Sequence, residues 1–170
     1  MGKRSALALL LMLWSTSCGV YSFTGTAVTA ETISIKTFFN DAANGPNNLG
    51  VIFTDKLRDY FQQNTTLVQV DEDGELQLEG AVVSYRLSPV APSAAQSDLS
   101  RDVANLTRLT ITVKVEYVDL ENEDNNFTRN FSHFADFDSD LGLTAVENEL
   151  LDVIFQQIIL DIFNATVANW

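Results

Sequence analysis

The first nineteen residues constrain the chain most, because they decide in which compartment it folds. Lys3 and Arg4 give a short positive start, and residues 6–14 form an apolar run. A helix of that length is too short to cross the ~30 Å of hydrocarbon in a bilayer. Small residues follow at 15–17. A basic start, a short apolar centre and a small-residue exit are typical of a secretory signal that is later removed. The sequence therefore predicts a cleaved signal over residues 1–17.

Cys18, the next residue, is the only cysteine in the chain. A secreted chain with one cysteine cannot use it for an internal disulfide. The stretch resembles a bacterial lipoprotein signal, in which cleavage falls just before a cysteine that is then lipidated. Ser15 stands where such signals usually have leucine, and the nearest leucine is Leu13. We expect lipid attachment at Cys18, with palmitate among the acyl chains; the alternative is an ordinary signal that leaves a free thiol.

The mature chain is short and strongly acidic. The full sequence has 10 Lys and Arg against 23 Asp and Glu, so loss of Lys3 and Arg4 with the signal makes the mature net charge −15. Such a charge argues against a nucleic-acid binder and against a body that lies flat on anionic lipid. At 46% hydrophobic residues the chain is not disordered. We expect a tether over 18–30 and one domain over 31–170.

Hydrophobic periodicity predicts five strand regions and two helices. Alternating residues predict strands, and apolar residues at steps of three and four predict a first helix. Asn47 or Asn48 is the candidate cap of that helix. The phase of alternation slips at Gly80, which predicts a bulge there. The predicted strands lie near 32–37, 67–70, 76–87, 109–117 and 127–137, the shortest being 67–70, and the first helix covers 49–64.

The last helix is predicted from Thr144 to about residue 168, with Thr144 and Glu147 spaced as a capping box. Its apolar surface is wider than the ~100° that packing on one sheet requires. Either the helix is buried within its own domain, or it shows apolar surface to a partner. In the last predicted strand, Phe127 and Phe131 lie on one side and Phe134 lies on the other. Apolar side chains on both sides predict that both faces of the sheet are covered.

Few residues suggest catalysis. The one histidine, His133, lies in a predicted strand beside Phe134, and the usual hydrolase, nucleotide-binding and zinc-protease motifs do not occur. We expect no enzyme, no catalytic residue and no cofactor.

One acidic loop has the spacing of calcium ligands. Asp136, Asp138 and Asp140 occupy positions 1, 3 and 5 of an EF-hand loop, and Glu147 occupies position 12. Leu141 stands where the sharp turn needs glycine, and a strand precedes the loop. A helix-entry loop is the favoured interpretation. A ligand-binding or calcium-binding lipoprotein that uses these four carboxylates is the alternative function.

The chain resembles a known family through several segments taken together. These are CGVYSFTGT after the signal, LTRLTITVKVEY in the clearest strand, FSHFADFD before the acidic loop, and AVENELLDVIFQQIILDIFNATVANW at the end. Together they resemble the LptE-like family of lipopolysaccharide-assembly lipoproteins in the form found in bacteria of the Bacteroides type. The resemblance covers residues 18–170.

This resemblance implies a fold and a role. The fold is α+β, with a roughly four-stranded mixed sheet packed by two helices. The role is that of an outer-membrane lipoprotein that plugs the LptD β-barrel and assists lipopolysaccharide transport to the outer leaflet. Arg86, Arg108 and Lys114 are the candidate lipopolysaccharide contacts, although the strong negative charge of the chain opposes direct contact with this anionic lipid. GVYSF after Cys18 lacks the run of acidic residues and lysine that resembles a surface-export signal, so we expect the periplasmic face of the outer membrane.

We expect the mature protein to begin at an acylated Cys18. Each buried CH₂ of an acyl chain contributes about 0.8 kcal/mol, so two or more chains anchor a protein without a spanning helix. Intact-mass spectrometry of the detergent-extracted protein should give the mass of residues 18–170 plus acyl groups. An unmodified first residue would contradict this prediction.

Overall fold

The computed structural model describes residues 30–90 and 105–167, so the signal, Cys18 and most of the tether lie outside it. The described residues form an α+β fold of one mixed sheet and two helices. The elements in chain order are β1 (Thr32–Ile35), β2 (Phe39–Asn40), α1 (Leu49–Asn64), β3 (Val68–Val70), β4 (Leu76–Pro89), β5 (Leu106–Asp119), β6 (Phe127–Asp138) and α2 (Leu143–Thr166).

The sheet has two halves of different pairing. Its order is β3-β1-β4-β5-β6, and β2 follows β1 along the same side of β4. The short strands β1, β2 and β3 pair in parallel, whereas β4, β5 and β6 form an antiparallel meander of two hairpins. The α+β class is confirmed, but the sheet has six strands instead of the roughly four that the resemblance implies. β3 lies within the predicted strand 67–70, whereas β2, with only two residues, is not predicted.

β5 is the central long strand, and its alternation is the pattern that the sequence predicts. Leu109, Ile111, Val113, Val115 and Tyr117 all point to the core and are at most 2% exposed. Both helices pack on this face, and their buried side chains join the same hydrophobic cluster. The intervening residues of β5 face away from the helices. The sheet therefore has one covered face and one face on which no other described element packs.

The predicted bulge is misplaced by a few residues. Gly80 pairs regularly with Val115, and the shift in register falls between Val82 and Ser84. Gly80 is needed for a different reason: a Cβ there would overlap the Lys114 carbonyl oxygen and crowd the Phe38 ring. The glycine thus marks a close approach of backbone and ring, which the sequence pattern could not distinguish from a bulge.

The predicted cap position of α1 is correct, whereas the predicted capping box of α2 is wrong. Asn48 occupies the N-cap of α1 but makes no side-chain capping bond. The N-cap of α2 is Gly142, two residues before Thr144, and it has a positive φ of 72°. The Glu147 side chain instead accepts a hydrogen bond from Tyr85, as described below. Helix α2 therefore begins without the capping box that its sequence suggests.

The wide apolar surface of α2 is buried within the domain. The buried side chains of α2 pack against the sheet on one side of the helix and against α1 on another. Val153, at 50% exposed, is the large apolar residue of α2 that stays most open to solvent. Of the two alternatives, burial in its own domain is the correct one. No helix in the described ranges is long and apolar enough to cross a membrane.

Three aromatic rings connect the layers. Phe38, between β1 and β2, packs edge-on against Phe53 of α1 at 5.0 Å between ring centroids, and Phe53 packs against Phe155 of α2 at 5.2 Å. The Phe38 amide also donates a hydrogen bond to the buried Thr54 hydroxyl. Gly50 lets α1 approach so closely that a Cβ would overlap the Phe38 carbonyl oxygen. This contact fixes the distance between α1 and the sheet.

We expect Gly50→Ala to destabilise the fold by about 2 kcal/mol or more, because the added methyl group overlaps backbone atoms in a packed interior. Helix propensity alone predicts the opposite sign, since alanine is favoured over glycine by about 1 kcal/mol. The control is Val51→Ala, at a half-exposed neighbour, with a change within about 0.5 kcal/mol. Chemical denaturation of both variants measures the difference, and a stabilised Gly50→Ala variant would contradict the close approach.

Candidate functional site

The face of the sheet opposite the helices brings the three predicted cationic contacts together. We call it the open face. It carries Gln77, Glu79, Ala81, Ser84, Arg86 and Ser88 of β4, Arg108, Thr110, Thr112, Lys114 and Glu116 of β5, and Thr128, Asn130, Ser132, Phe134, Asp136 and Asp138 of β6. Arg86, Arg108 and Lys114 are therefore on one surface. The sequence predicts this for Arg108 and Lys114, which share a strand and a parity; register alone places Arg86 with them.

Arg108 is already engaged by its neighbours. Its Nε and Nη2 donate hydrogen bonds of 2.7 and 2.8 Å to the two carboxylate oxygens of Asp136, which is directly opposite on β6. Its guanidinium carbon lies 3.6 Å from the centre of the Phe134 ring. These hydrogen bonds and the positive charge of Arg108 lower the pKa of the Asp136 carboxyl. Arg108 is thus held flat on the sheet by a carboxylate and an aromatic ring.

The interactions of Phe134 correct the expectation that both faces of the sheet are covered. Its ring belongs to the open face, whereas Phe127 and Phe131 pack toward the helices. Phe134 remains 44% exposed, and a cation rather than a second layer lies over it. The rest of the open face is mainly polar, and the hydroxyls of Thr112 and Ser132 hydrogen-bond across β5 and β6 at 3.0 Å.

Arg86 and Lys114 are the less engaged cations of the open face. Both are exposed, and neither forms an ion pair with another residue in the ranges 30–90 and 105–167. Lys114 pairs in register with Asn130, and Arg86 with Thr110. The backbone thus places Arg86 and Arg108 diagonally, about 7–8 Å apart. Lys114 is four residues further along β5 than Thr110, or about 14 Å away.

The four predicted calcium ligands do not converge. Asp136 binds Arg108, and Asp138 accepts hydrogen bonds from the Asn105 side chain and the Asp140 amide. Glu147 accepts a 2.6 Å hydrogen bond from Tyr85, on the helix side of the sheet, and so lies across the sheet from Asp136. Among the described residues no three acidic, histidine or cysteine side chains are placed to hold a metal ion. The geometry does not support the calcium alternative.

The hydrogen bond between Tyr85 and Glu147 is not predicted by the sequence, and in this it resembles the pairing of Arg108 with Asp136. Tyr85 is 5% exposed, and its hydroxyl joins β4 to the first turns of α2. Burial, followed by the hydrogen bond to Glu147, raises the pKa of this tyrosine. The phenol of Tyr85 is therefore neutral at neutral pH and donates its proton in the hydrogen bond to Glu147. The pair anchors the start of α2, where the capping box is missing.

Two acidic turns lie together at one end of the sheet. Residues 71–75 and 119–124 carry eight carboxylates, and the Leu120 amide donates a 2.9 Å hydrogen bond to the Glu75 carbonyl oxygen. The buried Asp119 carboxylate accepts three hydrogen bonds from within its own turn. The Glu31 amide, one residue after the first described residue, donates to the Glu75 carboxylate. The chain thus enters the domain at its most acidic end.

The pairing of Asp136 with Arg108 predicts a pH dependence. A carboxyl whose pKa falls on folding adds stability at pH values above its unfolded pKa, and this stability disappears as pH falls through the folded pKa. Asp136→Asn should therefore be less stable than the natural chain by about 1 kcal/mol or less near pH 7, since the pair is partly exposed. The gap should close below about pH 3.

Urea denaturation at a series of pH values measures this gap. Glu149→Gln is the matched control, because it removes an exposed carboxylate of α2 that has no arginine opposite it. A gap for Asp136→Asn that widens as pH falls would contradict the assignment.

Comparison with known proteins identifies the fold and the family. The LptE family, described as lipopolysaccharide-assembly, matches residues 30–166. No curated protein sequence matches the chain. The hypothetical protein CT253 from Chlamydia trachomatis is similar in structure, with a TM-score of 0.53, 10% identity, and coverage of 82% of this chain and 99% of that one. For the uncharacterized lipoprotein B from Nitrosomonas europaea these values are 0.52, 12%, 84% and 86%.

Protein XCC0632 from Xanthomonas campestris has the same fold, with a TM-score of 0.50, 10% identity, and coverage of 84% of this chain and 88% of that one. At such identities the structural likeness shows the fold alone. The family match is the stronger finding, because it extends from two residues before β1 to the end of α2. The chain belongs to the LptE family of lipopolysaccharide-assembly proteins.

Proposed function

We propose that this protein is a lipid-anchored, non-enzymatic subunit that plugs an LptD-like β-barrel of the outer membrane and supports lipopolysaccharide transport through it. The observation that carries the proposal is the family match over residues 30–166, which spans all the helices and strands of the domain. The lipid would be attached at Cys18, and the domain would reach the barrel from the periplasmic face. We assign no catalytic step to the protein. Its proposed contribution is to fill the lumen of the barrel and to assist the assembly of the barrel.

The dimensions of the domain limit which barrels it could fill. Five strands side by side are about 20–25 Å wide, and the second layer of helices lies about 10 Å away. β5, with 14 residues, is up to about 47 Å long. Barrels of 8 strands are filled by their own side chains, and even 16 to 18 strands leave only an aqueous channel. The proposal therefore requires a barrel at least as large as the 22-stranded plugged type.

The position of the chain entry agrees with anchoring near the membrane. Residues 18–29 separate the proposed lipid from Ala30, and even fully extended they span at most about 40 Å. The acidic end of the domain, where the Glu31 backbone amide donates a hydrogen bond to the Glu75 carboxylate, is the end nearest to this tether. Its eight carboxylates disfavour adsorption to anionic lipid. The anchor would thus hold the domain close to the membrane while its charge keeps it from lying on the surface.

Direct contact with lipopolysaccharide is a separate part of the proposal. Arg108 is bound by Asp136, so Arg86 and Lys114 remain as the cations of the open face that could meet phosphate groups. The remainder of the described domain is strongly acidic and would repel them. The plugging role does not depend on this contact.

We expect Cys18→Ala to release the protein from membranes, because the acyl chains supply the anchoring free energy. The natural, tagged protein extracted in mild detergent should co-purify with one large β-barrel protein, identified by mass spectrometry. Ser15→Ala is the matched control, since it changes the signal but keeps the modified cysteine. Membrane retention of Cys18→Ala would contradict the anchor, and recovery of the natural protein as a lone monomer would contradict the plugging role.

A further inference from the structure

The charges of the domain are sharply segregated. The open face, joined by the ammonium group of Lys36, carries four cations and four carboxylates: Lys36, Arg86, Arg108, Lys114, Glu79, Glu116, Asp136 and Asp138. The rest of the described chain carries 17 carboxylates against three cations. One broad surface of a strongly acidic protein is therefore neutral overall.

Half of the charges on the neutral surface are also paired locally. Lys36 pairs with Glu79 at one side, and Arg108 pairs with Asp136 at the other. Lys114 and Glu116 are two residues apart in β5 and lie on the same side of the strand. Between them lie short hydroxyl and amide side chains, among them Thr110, Thr112, Asn130 and Ser132. Desolvation of a charge is costly unless it stays paired, so paired ions and small neutral side chains are what a surface needs if another protein is to cover it.

The helix side has the opposite character. The outward side chains of α1 and α2 include five carboxylates: Asp55, Asp59, Glu149, Asp152 and Asp161. Among the described residues, these two helices share a single ion pair, between Lys56 and Asp152. Covering this surface would bring uncompensated carboxylates together without water. Such a surface is suited to remain in contact with solvent.

We propose that the open face is the surface that contacts the polar inner wall of the partner barrel, while the helices face the water-filled part of the lumen. This inference rests on the proposed function and adds the side of the domain that binds. Inner walls of outer-membrane barrels are polar, so a neutral surface rich in hydroxyl groups complements them better than an acidic one. Three strands about 4.8 Å apart and 12 to 14 residues long have a footprint of roughly 700 Å². This footprint of β4, β5 and β6 is close to the ~800 Å² that each partner buries in a stable complex.

Site-specific photo-crosslinking tests the orientation in the full, lipidated protein in its membrane. A photo-reactive amino acid replaces Arg86 or Asn130 on the open face, or Glu149 or Val153 on the exposed side of α2. Adducts with the mass of the barrel are expected from the open-face positions at about tenfold the yield from the α2 positions. Comparable yields from both sides, or stronger yields from α2, would overturn the inference while leaving the proposed function intact.

Two further outcomes are informative. Open-face adducts of twice the mass of this chain would show a second copy as the occupant and would overturn the inference. If no barrel co-purifies with the natural protein at all, the proposed function fails, and the orientation fails with it.

A matched pair of charge variants gives an independent test. Ser132→Glu adds one carboxylate to the open face opposite Thr112, a neutral residue, so the added charge has no cation directly across from it. Gln156→Glu adds one carboxylate to the exposed side of α2. With thermal unfolding confirming that both variants fold, the amount of co-purified barrel should drop about fivefold or more for Ser132→Glu and less than about twofold for Gln156→Glu. Equal losses would overturn the inference.

Discussion

The contact of α1 with the Phe38 segment determines how the two layers of the domain fit together. Phe38 lies between a glycine of α1 and a glycine of β4, and neither Gly50 nor Gly80 can carry a Cβ without overlapping backbone atoms. Its ring packs on Phe53, which in turn packs on Phe155 of α2. A chain of three rings thus runs from the sheet through the first helix to the second. The spacing of both helices on the sheet follows from it, and the opposite side of the sheet is left uncovered.

This one-sided packing has an electrostatic consequence. Burial of the apolar surface of α2 within the domain removes the exposed apolar helix face that the sequence alone could have offered to a partner. What distinguishes the surfaces instead is charge. The acidic turns gather at the end where the chain enters, the helices present carboxylates outward, and the open face is neutral. A partner that encloses the protein would therefore meet surfaces of very different desolvation cost.

Parts of this arrangement can be read from the sequence, and parts cannot. The alternation of β5 and the apolar spacing of α1 predict their bounds closely, because each follows from one periodic face packed on one core. β2 is missed since two residues carry no period. Thr144 and Glu147 have the spacing of a capping box, yet the chain turns earlier at Gly142, and Glu147 binds a tyrosine 62 residues away in sequence. Local spacing cannot reveal such tertiary competition.

The candidate site shows the same limit. Arg108 and Asp136 both face outward by parity, but their pairing requires the register of the β5–β6 hairpin, which is centred on Asn122. The acidic run 121–126 indicates a turn without fixing its centre, so the sequence offers Asp136 as part of a helix-entry loop, or alternatively as a calcium ligand, but not as the partner of an arginine. The family assignment was within reach of the sequence, because it depends on segments spread over the whole domain rather than on one pair of residues.

Native mass spectrometry of the complex released from outer membranes in mild detergent tests the central claim most directly. The account predicts one copy of acylated residues 18–170 bound to one large β-barrel chain. An acylated chain that leaves the membrane alone, or bound only to copies of itself, would contradict it.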